Sequence, residues 1–279
     1  MSLLEASKCS IYKSPSIFGF SFGLLLAIGI VISYIPQHIR IVRRKSSEGL
    51  SPVFLFVGSA SGFAAFLNLI LITQPARACC VDSLTVFQCI NSQVGLIQVG
   101  SQAIAYILIF VLCVYLTKNS ITESEKEYHT LRKSYNFFVS FAILLSITVI
   151  SVLIIDYSYI NLIANALGIF AAAMTVFQYF PQIYTTYNLK HTGSLSIKMM
   201  LMQTPGGFVW SYSIYSQPGS KWSSWIPYFS AAVLQGVLLS MALYYEYFRD
   251  KSIQIEPIQD EEEGGSNTIA NNETTPLIA

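Results

Sequence analysis

The chain has 279 residues, of which 53% are hydrophobic and only 11% are charged, and its formal net charge at pH 7 is +1. About a quarter of the residues in a soluble domain are charged, so this composition excludes an ordinary soluble domain and places most side chains against lipid. The basic residues are spread over short loops, which argues against a nucleic-acid-binding surface. The sequence has no nucleophile elbow, phosphate-binding loop, metal-ligand cluster or catalytic carboxylate pair, so we expect neither an enzyme nor a cofactor or metal site.

Seven apolar stretches are long enough to cross a hydrocarbon core about 30 Å thick as helices. Backbone polar groups must pair internally in lipid, and the alternating pattern of a membrane barrel is absent. The sequence therefore predicts an all-α membrane protein with seven transmembrane helices. The predicted helices cover residues 17–41, 53–73, 94–117, 135–155, 160–187, 195–216 and 225–248.

The distribution of basic residues predicts the orientation of these helices. Loops after the first, third and fifth helices are rich in Lys and Arg, whereas the intervening loops carry few, and basic loops face the cytosol. The amino terminus is therefore expected in the lumen and the carboxyl tail in the cytosol. The first helix is too long for the core of a cleaved signal peptide, so we expect it to remain as an anchor.

Four of the five cysteines fall on the predicted lumenal side, and they are Cys9, Cys79, Cys80 and Cys89. An oxidising lumen would allow two of them to form a disulfide, and the alternative is that they are unpaired or face lipid. Cys113 lies within the third predicted helix, where a cysteine commonly serves as a small apolar filler.

A short motif occurs twice in the chain. The sequence Tyr-Ile-Pro-Gln at residues 34–37 recurs as Tyr-Phe-Pro-Gln at residues 179–182, and the same offset of 145 relates Lys45 to Lys190 and Gly62 to Gly207. Such a duplication predicts two parallel three-helix repeats, and an odd linker helix between them lets both insert in the same orientation.

This 3+1+3 plan divides the chain into five parts. They are a lumenal segment 1–16, a first repeat 17–117, a cytosolic loop with the linker helix 118–159, a second repeat 160–248, and an acidic cytosolic tail 249–279 that is expected to be disordered.

The doubled Pro-Gln, each followed by a basic residue and a Leu-Ser pair, resembles the PQ-loop family. That family includes cystinosin and the lysosomal and vacuolar basic amino acid transporters, and it is related in fold to the SWEET sugar transporters and the KDEL receptors. The resemblance extends to about residue 250, and residues 203–212 look like fungal members. It implies alternating-access transport, with Pro36, Gln37, Pro181 and Gln182 as hinges for opening toward the cytosol.

Polar and helix-breaking residues within the apolar stretches are the candidate contacts to a solute. Asn91, Gly95, Gln98 and Gln102 share one face of the third predicted helix, and breakers at equivalent places in the second and sixth helices indicate a site at the membrane midplane. The candidate binding residues are Asn68, Gln98, Gln102, Asn165, Gln178, Gln203, Gly206, Gly207 and Trp210, with Tyr212, Tyr215 and Tyr228 as further aromatic contacts. The alternatives are interhelical hydrogen bonding for the amides and an interfacial belt for the aromatics.

No Asp or Glu lies deep in any apolar stretch. A basic solute would require a carboxylate partner, so a neutral polar solute fits this sequence better.

The tail ends with Glu273, three residues, and then Leu277 and Ile278, which resembles an acidic dileucine signal read by adaptor complexes. We therefore expect a carrier of a small polar solute, with amino acids as the first candidates, in the vacuolar or lysosomal membrane. The alternative is a non-transporting receptor, or a regulator of trafficking or lipid asymmetry, in the endoplasmic reticulum or Golgi membrane.

Overall fold

The computed structural model describes residues 9–45, 47, 50–117, 125–155, 157–189 and 197–249, and every regular element among these residues is helical. A 3-10 turn at Ser10–Tyr12 precedes the first long helix. The α-helices are α1 (Ile17–Arg44), α2 (Pro52–Ile72), α3 (Gln74–Asp82), α4 (Val86–Ser92), α5 (Val94–Leu116), α6 (Glu125–Ile154), α7 (Ile160–Leu189), α8 (Ile197–Tyr215) and α9 (Trp222–Tyr244). A second 3-10 turn, Tyr157–Tyr159, leads into α7, and a π-helical turn, Tyr245–Arg249, follows α9.

Six of these helices are long and apolar enough to cross a membrane, and they are α1, α2, α5, α6, α7 and α9. The chain is therefore a multi-pass membrane protein. Helix α8 is not among the six because Lys198, Gln203 and several hydroxyl side chains make it more polar.

Each of the seven predicted stretches coincides with a long helix, but the boundaries and connections differ. The fourth predicted helix starts at residue 135, whereas α6 starts at Glu125. The short helices α3 and α4 were not predicted. Asn91 belongs to α4, and the chain turns before α5 starts at Val94, so Asn91 does not share a helical face with Gln98 as the spacing suggested.

Local sequence explains several of the helix ends. The Ser16 side chain caps α1 by accepting a hydrogen bond from the Gly19 amide at 3.1 Å. Thr85 and Gln88 form a reciprocal capping box that starts α4. Lys45 ends α1 in the left-handed conformation, at φ 47°, and Pro52 is well placed in the first turn of α2, where no intrahelical donor is required.

The two halves of the chain pack their helices in the same way. Helix α5 packs against both α1 and α2, and α9 packs against both α7 and α8. Gly62 of α2 lies against Ala103 of α5, and Gly207 of α8 lies against Ala232 of α9. The two glycines, which the 145-residue offset relates in sequence, thus each pack against an alanine on the third long helix of their own half.

The two halves meet mainly where α2 packs against α7, a contact that we call the α2–α7 seam. The Ser61 hydroxyl donates to the Ala171 carbonyl at 2.9 Å and contacts the Thr175 hydroxyl at 3.1 Å. Asn68, which is fully buried, donates to the Ala164 carbonyl at 2.6 Å. Under the repeat, the contact equivalent to this seam is α8 against α1, yet the described parts of those two helices barely touch.

The four cysteines expected in the lumen form two disulfides, Cys9–Cys79 and Cys80–Cys89. Of the two alternatives that the sequence left open, disulfide formation is therefore the one observed. Cys113 is buried and outside any disulfide, in agreement with the prediction. We call the end of the bundle that carries the disulfides the cysteine end, and the opposite end, toward Pro36 and Pro181, the Pro-Gln end.

Gly168 provides a test of the packing between α7 and α9. A methyl group on Gly168 would lie 2.6 Å from the Ser223 Cβ and would also collide with the Ser223 carbonyl. We expect Gly168→Ala to push α9 away from α7 and to lower the free energy of unfolding by about 1–3 kcal/mol. The measurement is the thermal unfolding midpoint of the purified protein in detergent.

The matched control is Gly29→Ala in α1, where no atom lies within 4 Å of the added methyl group. We expect this variant to be as stable as the native protein or slightly more so, because Ala is the better helix former. Equal midpoints for both variants would contradict the close approach of α7 and α9.

Candidate functional site

The two copies of the Tyr-x-Pro-Gln motif converge near the middle of the bundle. Tyr34 on α1 and Tyr179 on α7 hold equivalent positions in the repeat. Tyr106 of α5 lies between the two motifs: its ring is 6.3 Å from the Tyr34 ring, and its hydroxyl accepts from the amide of Gln178, the residue before Tyr179.

Polar and aromatic side chains gather around this pair, and we call them the central cluster. Its members are Tyr34, Gln102, Tyr106, Gln178, Tyr179, Trp210 and Tyr228. They come from α1, α5, α7, α8 and α9, so both halves of the chain contribute.

Several direct contacts connect the central cluster. The Gln178 amide donates to the Tyr106 hydroxyl at 3.2 Å, and the Tyr106 and Tyr34 rings lie 6.3 Å apart. The Gln102 side chain interacts with the Tyr34 hydroxyl. The Trp210 and Tyr228 rings pack at a centroid distance of 4.4 Å, and the Tyr228 hydroxyl is in electrostatic range of Tyr34.

The central cluster contains buried polar atoms that have no hydrogen-bond partner among the described residues. They are the Gln102 Oε1, the Trp210 Nε1 and the Tyr228 hydroxyl. Buried polar atoms are normally paired, because an unpaired one loses its hydration and gains nothing in return. The three groups comprise one acceptor, the Gln102 Oε1, and two potential donors, the Trp210 Nε1 and the Tyr228 hydroxyl.

Two of the predicted binding residues, Asn68 and Gln98, use their amide nitrogens to join helices. Asn68 uses its amide nitrogen for the Ala164 carbonyl and for the Ser223 hydroxyl, the latter at 3.2 Å. Gln98 uses its amide nitrogen for the Gly23 carbonyl at 2.8 Å and for the Ser213 hydroxyl at 3.2 Å. The amide nitrogens of both residues therefore form interhelical hydrogen bonds, which is the alternative that the sequence left open. The carbonyl oxygen of each amide is unpaired within the described residues.

The remaining predicted residues divide between open and packed positions. Asn165 on α7 is half-buried with an Oδ1 that is unpaired within the described residues, and Gln203 is exposed and accepts from the Gln235 amide at 2.7 Å. Gly206 is exposed, and a methyl group added there would have no atom within 4 Å. Gly207, in contrast, packs against Ala232. Only Gln102, Gln178 and Trp210 of the predicted set belong to the central cluster.

The predicted hinge residues lie in helices that continue past the prolines. Pro36 is an exposed residue inside α1, and Gln37 is half-buried. The backbone at Pro181 and Gln182 is helical, and their side chains lie outside the described part of the structure, as do the sorting residues Glu273, Leu277 and Ile278.

The two Pro-Gln segments are held by different contacts. The His38 ring nitrogens lie 2.7 Å from the Tyr34 carbonyl oxygen and 3.0 Å from the Ala105 carbonyl oxygen of α5. The equivalent residue in the second repeat is Ile183, which packs in an apolar group with Met200 and Leu238. A polar contact thus anchors the first segment, and an apolar contact anchors the second.

A family profile described as PQ loop repeat matches residues 18–76 and 163–223. The two matches begin at the same 145-residue offset as the duplicated motif. A protein of Schizosaccharomyces pombe, named "Uncharacterized protein C4C5.03", is 33% identical over 293 residues, covering 96% of this chain and 94% of its own length. The chain belongs to the PQ-loop repeat family.

In this PQ-loop protein, sequence reasoning missed Tyr106 and the pairing of Tyr34 with Tyr179. The repeat offset did mark Tyr34 and Tyr179 as equivalent, but equivalence alone does not place two residues in proximity. The sequence marks Tyr106 only indirectly, through Gly58. In the structure the Tyr106 ring fills the space beside this glycine, where a methyl group would collide with the Tyr106 hydroxyl.

Unpaired and paired polar groups of the bundle should respond differently to removal. Tyr228→Phe deletes a hydroxyl that has no described partner, so we expect no loss of thermal stability. Asn68→Leu removes two interhelical hydrogen bonds and should cost about 0.6 kcal/mol for each. The measurement is the unfolding midpoint in detergent.

A clear loss of stability in Tyr228→Phe would mean that its hydroxyl is bonded within the protein and is not available to a ligand. Unchanged stability in Asn68→Leu would remove Asn68 from the interhelical role.

Proposed function

We propose that this PQ-loop protein is a carrier for a small, neutral polar solute, with amino acids as the first candidates, rather than an enzyme. The observation that carries the proposal is the central cluster, in which buried hydrogen-bonding atoms from both repeats have no partner among the described residues. A site that both repeats build is reshaped whenever the repeats move relative to one another, which is the requirement for alternating access.

The chemistry of the central cluster favours a solute without net charge. Gln102 offers a carbonyl acceptor, and Trp210 and Tyr228 offer donors next to an aromatic surface. A zwitterionic amino acid carries both an ammonium donor and a carboxylate acceptor, so it can satisfy both kinds of group. A cationic side chain would need a carboxylate, and the sequence has no Asp or Glu deep in an apolar stretch.

The asymmetry of the bundle supports opening between α1 and α8. At the cysteine end, Gln98 joins α1 to α8 through Gly23 and Ser213, and Gln217 accepts from the Gly95 amide at 2.9 Å. Elsewhere the described parts of α1 and α8 barely touch, while the α2–α7 seam is tightly bonded. We assign the seam as the fixed side and α1–α8 as the moving side, with Pro36 and Pro181 as hinges.

The packing also supports the 3+1+3 plan, in which α1, α2 and α5 form the first repeat, α6 is the linker, and α7, α8 and α9 form the second. In this plan α8 is the sixth of seven spans, and its polarity is tolerated because it faces the transport pathway rather than lipid. The positive-inside rule then places the cysteine end in the lumen and the Pro-Gln end in the cytosol.

For the location we propose the vacuolar or lysosomal membrane. Support comes from the sequence of the tail, where Glu273, Leu277 and Ile278 match an acidic dileucine signal that an adaptor complex would read.

Transport is tested with the purified protein in liposomes. We expect saturable uptake of labelled neutral amino acids, and its loss in Pro36→Leu combined with Pro181→Leu, because leucine restores the helical hydrogen bonds that the prolines remove. Pro75→Leu, an exposed residue of α3, is the matched control and should transport normally. The panel should include acidic and basic amino acids, each with and without a proton gradient.

Tyr228→Phe and Trp210→Phe report on the site within the same assay, and we expect each to raise KM with little change in expression. Uptake of none of the solutes by folded protein would reject the carrier and favour a receptor or a regulator of lipid asymmetry. Full uptake by the double proline variant would reject the hinges but keep the carrier.

Localisation is tested with a fluorescent fusion expressed in yeast. We expect Leu277→Ala combined with Ile278→Ala to shift the protein away from the vacuolar membrane, because the adaptor loses both aliphatic contacts. The matched control is Pro276→Ala, which leaves the signal intact. Residence of the native protein in the endoplasmic reticulum or Golgi would contradict the proposed location.

A further inference from the structure

The chain before α1 is fastened to the cysteine end of the bundle. We call residues 9–15 the strap, and residues 74–92, which include α3 and α4, the cap. The Cys9–Cys79 disulfide ties the strap to the cap, and the Gln88 amide donates to the Lys13 carbonyl at 2.8 Å. The other disulfide, Cys80–Cys89, lies within the cap and does not involve the strap.

The strap reaches the second repeat through the side chain of Tyr12. Tyr12 is only 6% exposed, and its hydroxyl lies against Gly219 in the loop that joins α8 to α9. Gly219 has φ +78°, and a methyl group there would lie 2.6 Å from the Tyr12 hydroxyl oxygen. Glycine is thus required at this position both for its backbone conformation and for the approach of Tyr12.

A second contact holds the same loop on the first repeat. The Gln217 Oε1 accepts from the Gly95 amide at 2.9 Å, and a methyl group on Gly95 would collide with this oxygen. Between the two contacts lies a cavity of about 10 Å³ that is lined by Tyr12, Thr73, Ser92, Ile214 and Gln217, among others. This space is about that of one water molecule, so a solute cannot pass while both contacts are in place.

The Cys9–Cys79 disulfide is a covalent tie between the strap and the cap. The apolar group around it consists of Cys9 and Tyr12 against Ala76, Cys79 and Leu84. Ordering the seven residues of the strap costs backbone entropy at every position, and the disulfide lowers this cost because it limits how far the strap can move when its other contacts break.

We propose that the strap is a latch, fastened by the Cys9–Cys79 disulfide, which holds the α8–α9 loop on the cap and keeps the cysteine end closed. Opening this end requires Tyr12 to leave Gly219 and Gln217 to leave Gly95. The burial of Tyr12 also raises the pKa of its hydroxyl, so Tyr12 makes this contact as a neutral group. The latch acts on the closed end itself, so its test does not depend on what the protein transports.

Accessibility of a buried reporter tests the latch directly. Ile214, which is 1% exposed and lines the cavity behind Tyr12, is replaced by cysteine in a Cys113→Ala background. The protein is placed in liposomes, and the rate of reaction with a membrane-impermeant maleimide is measured. Tyr159 is an exposed residue next to the start of α7, so Tyr159→Cys gives the reaction rate for an open position at the same end of the bundle. Dividing by this rate corrects for the fraction of protein molecules that are inserted in each orientation in the liposomes.

We expect Cys9→Ser combined with Cys79→Ser to raise the reporter rate by about tenfold or more, because the closed end now opens locally. Tyr12→Ala with both disulfides intact should raise it similarly. The matched control, Cys80→Ser combined with Cys89→Ser, removes a disulfide without freeing the strap and should leave the rate unchanged.

An unchanged rate after loss of Cys9–Cys79 would overturn the latch. An equal rise with either disulfide removed would also overturn it, because the cap as a whole would then be responsible. Folding of each variant is followed by size-exclusion chromatography, and Tyr12→Ala keeps the test decisive if the cysteine variants do not fold. A protein that transports nothing can still show the expected pattern, so failure of the carrier proposal is distinguishable from failure of the latch.

Discussion

Helices α2 and α7 approach closely because small side chains line both surfaces, and the hydrogen bonds across this contact reach backbone carbonyl groups. Ser61 bonds the Ala171 carbonyl, and Asn68 bonds the Ala164 carbonyl. Lipid provides little hydrophobic drive for one apolar helix to bind another, so close packing and such hydrogen bonds must hold the halves together. With this seam fixed, α5 and α9 are each brought between the other two helices of their half, and the tyrosines of the two motifs meet.

The same repeat that creates the seam also shows why its counterpart is loose. At the repeat-equivalent positions, α8 has Gly206 in place of Ser61 and Ser213 in place of Asn68, while α1 has Leu26 in place of Ala171. The side chains that would bond across α8 and α1 are thus missing or short, and the facing surface is bulkier. Gln98 supplies a substitute bond at the cysteine end only. The described contacts are therefore bonded directly on the α2–α7 side and sparse on the α1–α8 side, and this is the asymmetry on which the proposed opening rests.

Polar side chains in a membrane bundle can hold helices together or serve a ligand, and the pairing of their atoms distinguishes the two roles. The donors of Asn68 and Gln98 are used by backbone and hydroxyl oxygens of neighbouring helices. The Trp210 nitrogen and the Tyr228 hydroxyl are unpaired within the described residues, yet both are buried in the central cluster. Keeping such atoms unpaired costs stability, and this cost is explained if a solute pairs with them during transport.

The sequence alone determined the helical membrane architecture, the approximate place of each long helix and the duplicated Pro-Gln motif. These properties depend on the length of apolar stretches and on a repeat in the sequence, and both are visible in the order of residues along the chain. Only the tertiary structure decided that Cys9 pairs with Cys79, that the Asn68 amide joins helices while the Gln102 Oε1 is unpaired within the described residues, and that α2 bonds α7 directly whereas Gln98 bridges α1 and α8. Each of these outcomes depends on how a helix is rotated about its own axis and which neighbour it meets, and residue spacing within one helix does not contain that information.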